Sequence, residues 1–80
     1  MKARVTVTLK AGVLDPQGQA IEGSLASLGF AGVASVRQGK VFDIEMHGTE
    51  ESDLRSQINN MCERLLANTV IENYAVEILN

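Results

Sequence analysis

Val33-Ala34-Ser35-Val36-Arg37-Gln38-Gly39-Lys40-Val41-Phe42-Asp43-Ile44-Glu45-Met46 is rich in β-branched residues and too long for one ordinary strand. Gln38-Gly39 falls in its middle and reads as a hairpin turn. Ala34 and Val36 on the first arm, and Phe42, Ile44 and Met46 on the second, must share the core face, which sets the register. A two-residue loop of Gln38-Gly39 pairs Val36 with Val41 and turns Phe42 to the wrong side. A three-residue loop of Arg37, Gln38 and Gly39 pairs Ala34 with Phe42 and Val36 with Lys40. Gly39 then takes the left-handed position of a type I turn with a G1 bulge. Arg37 and Lys40 stand at the tip.

On the N-terminal side, residues 1–10 alternate strictly, Met1, Ala3, Val5, Val7 and Leu9 against Lys2, Arg4, Thr6, Thr8 and Lys10, as a half-buried strand does. Asp15-Pro16 then combines an N-cap with a first-position proline and starts a helix that runs to about Leu28. Ile21, Leu25 and Leu28 form its buried stripe, and a left-handed Gly29 folds Phe30 back in a Schellman cap. On the C-terminal side, Thr49 is the N-cap of a second helix whose first turn carries Glu50, Glu51 and Asp53. Leu54, Ile58, Met61, Cys62, Leu65 and Leu66 are its apolar stripe, and Asn68 is a left-handed end. Tyr74, Val76 and Ile78 then alternate with Ala75, Glu77 and Leu79 in a last strand.

The resulting order, β-α-β-β-α-β, predicts an α+β ferredoxin-like sandwich, a four-stranded antiparallel sheet with two helices on one face. Its first strand lies centrally, so Arg4 falls among Asp43, Glu45 and Glu77. The uncovered face carries Val33, Val41, Ala75 and Leu79 among the threonines Thr6 and Thr8, more apolar than solvent requires. Thr6, Thr8, Val41 and Leu79 are therefore the expected dimer face, with an unpaired edge strand as the other route to self-pairing.

Eighty residues make one domain, 1–80. A domain this small buries only about 60% of the surface its unfolded chain exposes, so self-association adds needed stability. Cys62 is the only cysteine; no internal disulfide is possible, and a reduced thiol fits the cytoplasm. Met1-Lys2-Ala3-Arg4-Val5 holds no apolar leader core, and no stretch approaches the roughly 18 apolar residues of a membrane span. A net charge of −3 argues against nucleic acid as the default partner.

No catalytic constellation is expected. His47 has no His or Cys companion for a metal site or relay, and Cys62 sits in an apolar stripe where a thiol is core filler. Glu50, Glu51 and Asp53 match what a helix dipole attracts without any metal. Gly12, Gly18 and Gly23 have neither the dinucleotide nor the Walker spacing. Gly18 and Gly23 do sit inside a helix, at about 1 kcal/mol each against alanine, which points to close backbone approach or to simple tolerance. Thr6, Thr8, Asp43 and Glu45 occupy the sheet positions where an RNA-binding platform needs aromatics. Arg37, Gly39 and Lys40 remain as a candidate partner-binding tip, suited to a carboxylate or phosphate, beside an ordinary solvated turn.

Several of these signals occur together: a first strand ending in Lys10, Val13-Leu14-Asp15-Pro16-Gln17-Gly18, Leu28-Gly29-Phe30, Val33, and Val36-Arg37-Gln38-Gly39-Lys40, with Glu45 and Leu65-Leu66-Ala67-Asn68 further on. In this combination the chain resembles the PurS family, small subunits of bacterial phosphoribosylformylglycinamidine (FGAM) synthase. The resemblance implies a part in de novo purine biosynthesis, in a ligase that uses ATP and the amide nitrogen of glutamine. It implies a non-catalytic subunit, dimeric or higher, joining a synthetase subunit to a glutaminase subunit for ammonia transfer. ATP and Mg then belong to the complex, with no cofactor or metal on this chain. A small-molecule-binding regulatory module of the ACT kind shares the β-α-β-β-α-β layout and is the alternative, told apart by direct binding of an amino acid or nucleotide.

Overall fold

Strict alternation puts Ala3, Val5 and Val7 on one face of the first strand, and in the computed structural model, which describes residues 1–79, all three are buried on β1 (Lys2–Leu9). β2 (Lys40–Glu45) and β3 (Glu72–Leu79) flank it, both antiparallel, in the order β2-β1-β3. Val5 stands opposite Phe42 and Val76, and Ala3 opposite Ile44 and Ile78, so the expected inward residues do share a face. On the other face Arg4 lies between Asp43 and Glu77, its Nε donating to Asp43 Oδ1 at 2.9 Å. Lys2 takes Glu45 at 3.5 Å.

The first helix, α1 (Pro16–Ser27), starts as its sequence dictates, with Gly18 N–H donating to the Asp15 carboxylate at 2.9 Å and Pro16 at the first position. It ends on Gly29 at φ 95°, where Phe30 N–H donates to Leu25 O at 3.0 Å and Gly29 N–H to Ala26 O at 3.1 Å, a Schellman cap. The second helix, α2 (Glu51–Met61), is entered through Glu50 rather than Thr49, with no side-chain cap. Leu54, Ile58 and Cys62 are buried, and Ile58 and Cys62 join Ala3, Val5 and Val7 in the core. A π-helical turn over Cys62–Leu66 then adds one residue to the winding, with Ala67 N–H donating to Cys62 O at 3.0 Å. That extra residue carries Leu65 to the outside, 82% exposed, while Leu66 stays half-buried and Ala67 buried, so the expected inward Leu65 is corrected. Asn68 is not left-handed either: no residue but glycine has positive φ among those described, and its carbonyl instead accepts the N–H groups of Ile71 and Glu72.

Two larger expectations are overturned. The sheet has three strands among the described residues, because residues 33–39 do not form the first arm of a hairpin. Their backbone has other partners: Val36 N–H donates to Glu22 Oε1 at 2.5 Å and Gln38 N–H to Asp15 Oδ2 at 2.7 Å, both on the α1 side. The predicted pairs Ala34–Phe42 and Val36–Lys40 are absent, and Val33 stands outside the sheet. Gly39 is not left-handed. The second strand shared with ACT modules is missing with them. The other correction concerns α1, which does not cover the sheet. Of its residues only Gly18 is buried, and Ile21, Leu28 and the following Phe30 are 39%, 73% and 58% exposed. Among the described residues it is α2 that packs on the sheet, chiefly against β3, leaving Phe42, Ile44 and Met46 half-buried on the β2 side. The Cα radius of gyration is 16.1 Å over extents of 49 × 27 × 14 Å. A closed 80-residue domain has about 12 Å, so this chain holds an incomplete core.

Candidate functional site

Arg37, Gly39 and Lys40 end up in three different surroundings. Arg37 is not at a tip: its guanidinium donates from Nη1 to Val13 O at 2.8 Å and from Nη2 to Lys10 O at 3.1 Å, holding the loop between β1 and α1. Gly39 passes so close over β1 that a Cβ would lie 2.7 Å from Val7 O. Lys40 opens β2 opposite Val7, so its side chain points to the core side of the sheet, where Nζ lies 3.8 Å from Glu72 Oε2. Glu72 is itself held by Asn68 N–H on Oε1 at 2.6 Å. An open cleft of about 210 Å³ separates these groups from Asp15 and Gln17.

Residues 36–38 thus form a strap across the start of α1, gripped from both sides. Asp15 is 6% exposed and accepts two backbone N–H groups, Gly18 on Oδ1 and Gln38 on Oδ2. The Gln38 and Gly18 bonds, against some desolvation and with help from the Arg37 charge, hold its carboxyl below the usual range. The helix approaches so closely that a Cβ on Gly18 would meet Val36 O and lie 2.5 Å from Asp15 Oδ2. Close approach is therefore the reason for Gly18, whereas nothing lies within 4 Å of a Cβ on Gly23. Asp15 is legible in the sequence as an N-cap, but its second bond is not, and Glu22 carries no sequence signal because its partner is a backbone N–H 14 residues away.

On the outer face, Thr6 stands opposite Val41 and Ala75, and Thr8 opposite Asn73, so Thr6, Thr8 and Val41 form one patch, with Val41 56% exposed. Leu79 is separate: it pairs with Lys2 at the other end of the strand, about 13 Å away at four residues of rise. His47 is exposed just beyond β2, and Cys62 is buried in the core, where desolvation pushes its thiol pKa up. Among the described residues no group of three His, Cys, Asp or Glu could hold a metal, and no helix is long and apolar enough to cross a membrane. The most unusual surface is the helix without a sheet, where Ile21, Leu25 and Leu28 continue into Phe30.

A family model described as PurS, phosphoribosylformylglycinamidine (FGAM) synthase, matches residues 2–80. The phosphoribosylformylglycinamidine synthase subunit PurS of Synechocystis is 47% identical over 75 residues, covering 94% of this chain and 75% of that one. The subunit PurS of Mycobacterium leprae is 48% identical over 75 residues, covering 94% and 91%. The crystal form of B. subtilis PurS superposes with a TM-score of 0.89 at 43% identity over 99% of this chain and 98% of that one. A chain in the structure of PurLQS from Thermotoga maritima superposes at 0.88, with 31% identity over 98% and 95%. A three-stranded α+β chain with an unpaired helix and a full-length match of this strength belongs to the PurS family, the PurS subunits of FGAM synthase in purine biosynthesis.

Proposed function

We propose that this chain is the non-catalytic assembly subunit of the glutamine- and ATP-dependent FGAM synthase complex, acting as a homodimer or higher oligomer that joins the synthetase and glutaminase subunits for ammonia transfer. The observation that carries this is the open core: a helix with an apolar stripe but no sheet, and a sheet half-covered on the β2 side. A second copy offers what each half lacks, and a two-fold axis satisfies both copies at once. Each large apolar side chain fully buried in this way contributes about 1.5–3 kcal/mol. The likeness to a chain in the Thermotoga PurLQS structure supports partnership with a PurL-like synthetase and a PurQ-like glutaminase. Of the expected tip residues, Lys40, with the Thr6–Thr8–Val41 patch, is the surface offered for contact with partners or with further copies, while Arg37 and Gly39 hold the strap beside it. ATP and Mg are handled by the partner chains, the complex works in the cytoplasm, and neither nucleic acid nor a membrane is a partner. Reconstitution tests the joining role: leaving this chain out should reduce glutamine-dependent ligation much more than ligation driven by added ammonium. Equal losses with both nitrogen donors would mean a direct effect on synthetase chemistry instead.

A further inference from the structure

A helix that does not pack on the sheet of its own chain has little apolar contact to set its angle, yet α1 leaves the sheet through a dense set of polar contacts. Arg37 donates to Lys10 O and Val13 O on one side of the strap, Asp15 accepts from Gln38 N–H, and Glu22, nearly two turns into α1, accepts from Val36 N–H. Gly18 lets the strap lie directly on the helix backbone. The contacts involve one face of α1: Gly18 and Glu22 lie about 40° apart, next to the Ile21–Leu25–Leu28 stripe and away from it on one side only. From this geometry we infer that Arg37, Asp15 and Glu22 form a positioning clasp that holds α1 at a fixed angle to the sheet before any second copy is met, so that its apolar stripe is presented ready-oriented to that copy. This rests on the self-association proposed above. The strap supplies through charged hydrogen bonds the rigidity that packing supplies elsewhere, and a pre-oriented helix loses less freedom on docking than a loose one.

Arg37→Met keeps the aliphatic stem and removes both donors, and the two carbonyls it leaves can turn to water. With the full chain, sedimentation should show self-association at least about tenfold weaker, the equivalent of losing about 1.4 kcal/mol. Amide exchange should show the Val36 and Gln38 N–H groups losing protection while the β1–β3 amides keep theirs. Arg37→Lys, which keeps the charge but not the fork, should behave like Arg37→Met. Unchanged self-association with the strap amides deprotected would overturn the clasp, as would both variants unfolding outright, since the strap would then hold the whole fold and not the arm. Leu28→Asp separates the two readings: if it also leaves the oligomer intact, the α1 stripe is not the self-association surface and that reading is the one that fails.

Discussion

Asp15 shows how one side chain can serve two segments. Its depressed carboxyl pKa stabilises the fold in full above the unfolded value of 3.8, and that contribution is lost as pH falls through the lower folded value. Asp15→Asn should therefore lower the urea midpoint by a constant amount from pH 7 to about 5, and the gap to wild type should close as the solution is acidified below the unfolded pKa. A gap that persists unchanged at pH 2 would show that the charge is immaterial. The two helical glycines make a sharper pair. Gly23→Ala adds a methyl to open space about 200° around α1 from Ile21, and should raise stability by about 0.5–1 kcal/mol. Gly18→Ala gains the same helix propensity but drives its Cβ into Val36 O and Asp15, and should lose about 1–3 kcal/mol net. Both signs are read from thermal or urea melts.

At the scale of the element, the end of α2 is the place where periodicity misleads. Leu65 falls at helical spacing from Leu54, Ile58 and Met61, but the π-helical turn shifts the winding by one residue and Leu66 takes the inward place. Leu65→Ala should cost less than about 0.5 kcal/mol, as exposed substitutions do, against about 1–3 kcal/mol for Leu66→Ala. A regular α-helix would reverse the order. The strap is the second such element. Val33, Ala34 and Val36 leading into it permit a strand, but a strand also needs a neighbour to exchange hydrogen bonds with, and Glu22 and Asp15 already occupy the Val36 and Gln38 amides. β2 thereby keeps an outer edge that no strand among the described residues pairs with.

For the whole molecule, the open core predicts that wild-type protein sediments without monomer at micromolar concentration, and that Leu25→Asp with Leu28→Asp yields monomers whose β1–β3 pairing survives. A wild-type monomer at that concentration would remove the basis for the self-association proposed here. Local chemistry is legible along the sequence: the inward residues of all three strands, the central place of β1 with Arg4 against Asp43, the Asp15-Pro16 start of α1 and the Gly29 cap. The inward residues depend on side-chain period and the helix ends on bonds spanning a few residues, so the chain carries them without reference to the rest, whereas the central place of β1, with Arg4 against Asp43, 39 residues away, followed from the order of the elements. What the tertiary structure alone decided is which surfaces meet. The β-branched content of residues 33–39, with Ala34 and Val36 two apart, is equally compatible with a ladder and with a strap, and the stripe on α1 is equally apolar whether it faces its own sheet or another copy's. An apolar face records only that it will be buried, because the hydrophobic effect has no direction and names no partner. The choice fell to contacts between residues far apart in the chain, Glu22 with Val36 and Arg37 with Lys10 and Val13, whose geometry no local pattern encodes.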